Sequence, residues 1–132
     1  MITGAKGLAH MALYVKDYDT TMDFYCNKIG FKSIWDRTSQ DPEYGRVRSS
    51  FIQLGNLVLE ILEIEKLHYP SDGAFQHLAI EVDDLDKAYE EAKQMGMNPT
   101  DIGVDEGVLT GSKWFVVKGP DGESVEFSYV RK

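Results

Sequence analysis

Two histidines and two glutamates carry the clearest chemical signal in the sequence: His10 with Glu60, and His77 with Glu126. Imidazole nitrogens and carboxylate oxygens together suit a borderline divalent ion such as Ni²⁺, Zn²⁺, Co²⁺ or Mn²⁺. Two of each leave one or two coordination positions open for water or substrate oxygens. A lone His or Glu on a strand is ordinarily a surface or satisfied core residue. Glu60, however, lies within Leu57-Val58-Leu59-Glu60-Ile61-Leu62, where an unpaired buried carboxylate is costly.

The spacing sets these four apart, because the chain repeats itself. His10 to Asp19 lies over His77 to Asp86, with His, Ala, Val, Asp and Asp recurring at an offset of 67. Gly30 and Gly96, which end the next predicted elements, recur at an offset of 66, as do Glu60 and Glu126, so the second half is one residue shorter. A His and a Glu thus stand at matching places in two similar halves. We take the chain as a single domain over residues 1–132, with repeat one at about 7–65 and repeat two at about 74–131.

The elements that must position these residues read as two βαβββ halves. Leu8 to Val15 is apolar and strand-like. Asp17 caps a helix whose Met22, Tyr25 and Ile29 are spaced for burial, and Gly30 stops it. Phe31 to Arg37, Arg46 to Leu54 and Leu57 to Ile64 read as strands, with a tight hairpin at Gly55-Asn56. In the second half Phe75 to Val82 is a strand and Asp84 to Met95 a helix capped by Asp84. Asn98 to Ile102, Ser112 to Lys118 and Glu123 to Val130 are strands, with Gly119-Pro120-Asp121-Gly122 as a turn. Pro70 to Gly73 is the linker. Thr38 to Gly45 and Gly103 to Gly111 read as loops able to close over a site, and His68 as a loop residue.

Alternation on strands places Ala12 and Tyr14 with His10, Val58 and Leu62 with Glu60, Ala79 and Glu81 with His77, and Ser124 and Ser128 with Glu126. Tyr14, Trp35, Phe51 and Trp114 are candidates to line a pocket, with core packing as the plainer role. Arg46, Arg48 and Lys113 are candidates to bind a substrate anion, with solvated strand charges as the alternative. Cys26, the single cysteine, excludes an intrachain disulfide and reads as a small half-buried helix residue. A formal charge of −8 argues against nucleic acid as a partner. No apolar run approaches the roughly 20 residues of a membrane span, and the first residues lack a signal-peptide pattern, so the expected location is cytoplasmic and the expected partner a small-molecule substrate. Half-sheets with open edges and apolar faces point to a homodimer.

The segments His10–Val15, Asp23-Phe24-Tyr25 with Ile29-Gly30-Phe31, Leu59-Glu60-Ile61, His77–Val82, and Gly119-Pro120-Asp121-Gly122 leading to Val125-Glu126-Phe127 resemble the vicinal oxygen chelate superfamily. That superfamily includes glyoxalase I, methylmalonyl-CoA epimerase, extradiol dioxygenases and fosfomycin and bleomycin resistance proteins. The resemblance implies an α+β fold, with two βαβββ modules forming a curved mixed sheet around a metal-binding cavity. Glu60 makes the chain look most like glyoxalase I (lactoylglutathione lyase), because the dioxygenase and fosfomycin-modifying members have no carboxylate at that position and the epimerase has Gln. The implied activity is that of a metal-dependent lyase or isomerase. It would remove a proton next to a metal-polarised carbonyl, with Glu126 or Glu60 as base. The alternatives are an epimerase or dioxygenase of the same superfamily, or a non-catalytic binding module of the resistance type. Where glyoxalase I commonly places Arg, Asn and Arg against glutathione, this chain has Tyr14, Ile64 and Gly73.

Overall fold

The computed structural model describes residues 3–4, 8, 10–67, 77–104 and 111–129. The chain divides into two units, Met1–Tyr69 and Pro70–Lys132, each with its own four-stranded mixed sheet. Unit one runs β1 (Met11–Tyr14), α1 (Tyr18–Met22, continuing as a π-helical stretch over Asp23–Ile29), β2 (Lys32–Asp41), β3 (Gly45–Leu54) and β4 (Leu57–Ile64). Its strand order is β1-β4-β3-β2, with β1 parallel to β4 and the other pairs antiparallel. Unit two runs β5 (Leu78–Glu81), α2 (Leu85–Gln94), β6 (Gly103–Val104), β7 (Lys113–Lys118) and β8 (Ser124–Tyr129), in the order β5-β8-β7-β6. The α+β architecture of two βαβββ modules is therefore the one expected. No helix among the described residues is long and apolar enough to cross a membrane.

Both helices begin at the expected aspartates. Asp17 accepts a hydrogen bond from the Thr20 amide at 3.0 Å, and Asp84 one from the Lys87 amide at 3.1 Å, each satisfying an otherwise unpaired first-turn donor. The Thr20 amide also holds the Asp17 carboxyl below its ordinary pKa. The one-residue difference between the halves lies between cap and terminating glycine: Asp17 and Asp84 are 67 apart, Gly30 and Gly96 only 66. Unit one takes up its extra residue as the π-helical stretch, where the Gly30 amide reaches back five residues to the Tyr25 carbonyl at 3.0 Å. The wider turn also rotates the buried face. Thr21, Phe24 and Tyr25 are buried, whereas the expected Met22 and Ile29 are only half-buried.

Each sheet has a helix face and an opposite face. In unit one Leu59, Ile61, Ser50 and Ile52 are fully buried, and the Ser50 hydroxyl hydrogen-bonds to the Tyr18 hydroxyl of α1. In unit two Phe115, Val117, Val125 and Phe127 are buried, and the Tyr89 ring of α2 meets Phe115 edge-on at 5.5 Å.

Several expected boundaries change. The stretch Thr38–Gly45 is not a loop. Thr38 to Asp41 continue β2, Gly45 begins β3, and only residues 42–44 turn. Asp41 makes this turn by accepting from the Glu43 and Tyr44 amides at 2.8 and 2.9 Å. Gly103 and Val104 are not loop either; they pair with Trp114 and Lys113, while residues 105–110 lie outside the described set. Asn98 to Ile102 do not form a strand. Asn98 takes a positive φ of 51°, which breaks the extended run, and the Thr100 hydroxyl accepts from the Val116 amide at 2.9 Å where a ladder carbonyl would stand. The first strand of each half is shorter than expected, Met11–Tyr14 and Leu78–Glu81. Residues 68–76, which include His68, the expected linker, Gly73 and Phe75, also lie outside the described set.

Candidate metal centre

The parallel pairing of the first and last strands builds half of the candidate site in each unit. In unit one Ala12 of β1 stands opposite Glu60 of β4. His10, two residues earlier, shares the face of Ala12, and its Nε2 lies 3.6 Å from Glu60 Oε2. In unit two Ala79 stands opposite Glu126, and His77 Nε2 lies 3.9 Å from Glu126 Oε2. The alternation places all four on the faces away from the helices, since Leu59, Ile61, Val125 and Phe127 occupy the other parity. We call these the site faces. Ala12 and Ala79, on the same faces, are small and exposed beside each pair.

Both separations exceed a normal hydrogen bond. Two donors each about 2.0–2.2 Å from a common ion stand roughly 3–3.6 Å apart, so each pair needs little movement to share one. Hard carboxylate oxygen with borderline imidazole nitrogen is also the donor mixture such ions prefer. Within either unit, among the described residues, no third His, Cys, Asp or Glu joins the pair to complete a metal site.

The two half-sites differ in their surroundings. In unit one the imidazole of His10 meets the Phe51 ring edge-on at 5.2 Å, and Phe51 meets Trp35 at 5.5 Å. The register gives a cross-sheet row of Ala12, Glu60, Phe51 and Trp35. A bulge between Ser33 and Trp35 makes this row possible. With an unbroken ladder, Ile34 would stand opposite Phe51 and Trp35 would turn to the helix face. In unit two the matching row is Ala79, Glu126 and Val116, with no aromatic ring. Instead the Ser128 hydroxyl donates to Glu126 Oε2 at 2.8 Å. The corresponding residue in unit one is Leu62, so this serine, placed beside Glu126 by alternation alone, acquires a role only from the geometry.

The remaining expected residues divide by face. Tyr14 lies on the site face of β1 and is 53% exposed. Trp114 lies on the site face of β7, opposite Ser128, and its ring covers Gly103, where a Cβ would fall 2.5 Å from the indole carbons. Arg46, Arg48 and Lys113 all lie on helix faces, away from the His–Glu pairs. Arg46 pairs with Glu63 at 3.3 Å. Arg48 pairs with Asp19 at 3.2 Å and sits 4.1 Å above the Tyr18 ring. Lys113 pairs more loosely with Asp86 at 3.9 Å. Asp19 and Asp86 are repeat equivalents in the first helical turns, so Arg48 and Lys113 make the same strand-to-helix tie in the two units. The partner of Arg46 also serves α1, because Glu63 accepts from the Tyr18 amide at 2.6 Å. Sequence spacing does not reveal this shared tie, since Asp19 and Arg48 are 29 residues apart and Asp86 and Lys113 are 27; the strand register does, with Arg48 opposite Glu63 and Lys113 opposite Tyr129. Cys26 is half-buried, and burial pushes its thiol pKa up, which suits a packing residue and not a nucleophile.

Comparison with known proteins places these features. The model of the glyoxalase/bleomycin resistance protein/dioxygenase superfamily matches residues 7–127. Over 127 residues the chain is 32% identical to lactoylglutathione lyase of Neisseria meningitidis, covering 91% of this chain and 88% of that protein. Over 129 residues it is 27% identical to YwbC of Bacillus subtilis, covering 93% and 97%. Among solved structures, a glyoxalase family protein of Enterococcus faecalis matches with a TM-score of 0.76 at 27% identity, covering 93% of this chain and 97% of that one. The fosfomycin resistance protein FosX of Listeria monocytogenes, solved with Mn(II) and sulfate, matches at 0.71 and 20% identity over 99% and 95%, a likeness of fold alone.

Proposed function

Because this chain belongs to the glyoxalase/bleomycin resistance protein/dioxygenase superfamily, we propose that it is a glyoxalase-I-like, divalent-metal-dependent lyase or isomerase. Its metal ligands are His10, Glu60, His77 and Glu126, two from each βαβββ module, in one chain or across two copies. The observation that carries this reading is the recurrence of one His–Glu pair in both units, at 3.6 and 3.9 Å and at matching places in matching sheets. The similarity to lactoylglutathione lyase supports the reaction class.

A divalent ion held by these four side chains supplies Lewis acidity to the oxygens of a carbonyl substrate. The chain's own residues do the rest. A carboxylate oxygen of Glu126 or Glu60 takes the proton from the carbon beside the carbonyl and returns it to the neighbouring carbon, which is an isomerisation without net loss. The Ser128 hydroxyl donates to Oε2 of Glu126, the oxygen that lies 3.9 Å from His77, and so orients that carboxylate beside the imidazole. Phe51, with Trp35 against it, sets an apolar ring edge-on to the His10 imidazole.

Purified protein is expected to carry about one Ni²⁺, Zn²⁺, Co²⁺ or Mn²⁺ per four-ligand site by elemental analysis. Protein that stays metal-free after incubation with each ion would overturn the reading. A homodimer is also proposed. The outer strands of each sheet, β1 and β2 in unit one and β5 and β6 in unit two, each have an edge unpaired within that sheet. Sedimentation at micromolar concentration is expected to give twice the 14.9 kDa of one chain; a single species at the monomer mass contradicts it.

A further inference from the structure

We infer that β2 carries the substrate-selecting surface of unit one, and that its ligand is a small organic anion with a flat apolar body. Lys32 and Arg37 hold the anionic group and Trp35 with Phe51 hold the body, while the substrate's vicinal oxygens lie at His10 and Glu60. This inference rests on the metal reading above and names the substrate class for that site.

The register places these residues together. Trp35 faces Phe51, which faces Glu60, across three adjacent strands. Neighbouring strands lie about 4.8 Å apart, so the indole begins roughly 10 Å from the Glu60 backbone, about the width of one aromatic ring plus a short substituent. Arg37, opposite Ser49, and Lys32, opposite Gln53, lie on the same face as Trp35, on either side of it. The Ile34 bulge brings this about. It restores to the site face a strand that would otherwise present Ile34 there.

The charge pattern is the second observation. The protein has a formal charge of −8, and on the strands of unit one the cations divide sharply between faces. Arg46 and Arg48, on the helix face, are each held by a carboxylate. Lys32 and Arg37, on the site face, are exposed and have no ion pair among the described residues. The carboxylates of that face are Glu60, assigned to metal, and Asp41 at the hairpin tip, engaged by two backbone amides. An acidic protein thus keeps two uncommitted cations beside an exposed indole, next to its candidate metal ligands. An Arg guanidinium suits a planar carboxylate by two parallel hydrogen bonds, and a Lys ammonium adds a mobile point charge. Among the described residues of unit two the row differs: Val116 stands where Phe51 does, Thr100 bonds to it where Trp35 would lie, and the site-face Trp114 covers Gly103.

Two oxygen chelators test this by calorimetric titration of zinc-loaded protein: benzohydroxamate, and 4-carboxybenzohydroxamate, which adds a carboxylate across the ring. The carboxylate compound is expected to bind about fivefold to tenfold more tightly, the scale of a partly exposed charge-assisted contact. Lys32→Gln and Arg37→Gln should each reduce the preference, and the double variant should bind both compounds equally. Trp35→Ala should weaken both compounds by a similar factor and leave their ratio unchanged. Zinc content, measured alongside, should be the same in all variants. Benzohydroxamate binding without a preference for the carboxylate, a preference that the double variant keeps, or a Trp35→Ala variant that binds both compounds normally overturns the inference and leaves the metal reading standing. Protein that holds no zinc overturns both.

Discussion

Glu126→Ala and His77→Ala are expected to bind Zn²⁺ at least about 100-fold more weakly than wild type in a calorimetric titration, and His10→Ala and Glu60→Ala to fall with them. Removing one of four ligands takes away a direct bond, and even outer partners of a ligand are worth roughly 10–100-fold in affinity. The carboxylate variants also remove a negative charge that offsets the ion. Ser128→Ala provides an internal scale. Its hydroxyl touches Glu126 at 2.8 Å and no other candidate ligand, so a loss of about 10-fold is expected, smaller than for any ligand. Ser124→Ala, on the same strand face but bonded to Lys118 at 2.7 Å, should leave affinity unchanged. Wild type and all four ligand variants binding equally weakly would show that the repeated His–Glu pairs are surface decoration.

The hemithioacetal of glutathione and methylglyoxal is expected to be a poor substrate, with kcat/KM at least about 1,000-fold below the roughly 10⁶ M⁻¹s⁻¹ of an efficient enzyme. Glutathione brings two carboxylates whose charge must be matched in a partly dry cleft. Tyr14 and Ile64 stand where the glyoxalase I resemblance places Arg and Asn. Both lie on the site face of unit one, since Ile64 shares the parity of Glu60 and Leu62, so the departure falls where the contact would be needed. Arg46, Arg48 and Lys113 do not substitute, because they are held by carboxylates on the helix faces. Two missing charge-assisted contacts at roughly 1.5–3 kcal/mol each account for the expected drop. The assay follows thioester absorbance with Ni²⁺ and with Zn²⁺. A value near that of an efficient enzyme would mean that the cations on β2, or others, do the work of the family's contacts.

The sequence disclosed the parts of the molecule that its repeat and its backbone chemistry encode twice. Asp17 and Asp84, Gly30 and Gly96, and the two His–Glu pairs each confirm one another, and the parallel pairing that brings His to Glu follows from the βαβββ order. What stayed hidden depends on parity and on polar strands. Thr38-Ser39-Gln40-Asp41 has no apolar alternation, so its ladder with β3 left no mark in the hydrophobic pattern, and the turn chemistry of Asp41 to Gly45 made the whole stretch look like a loop. A one-residue bulge at Ile34 reverses the parity of the rest of β2 and turns Arg37 to the site face, which simple alternation along the sequence does not show. Arg46, Arg48 and Lys113 carry the charge a substrate site would need, but their even step from the buried Ser50 and Phe115 puts them on the helix side. Charge type was legible; which face it points to was not.

The wide helical turn at Asp23–Ile29 works as an expansion joint. A single added residue in a strand reverses every later side chain unless a bulge absorbs it. In the helix it is spread over a seven-residue π-helical stretch that lies between two fixed points, the capping aspartate and the left-handed glycine. The chain on either side stays in step, and Glu60 still meets His10 as Glu126 meets His77. Length can therefore differ in the helices while the His–Glu register of the first and last strands is kept. Two halves of unequal length thus still present matched His–Glu pairs.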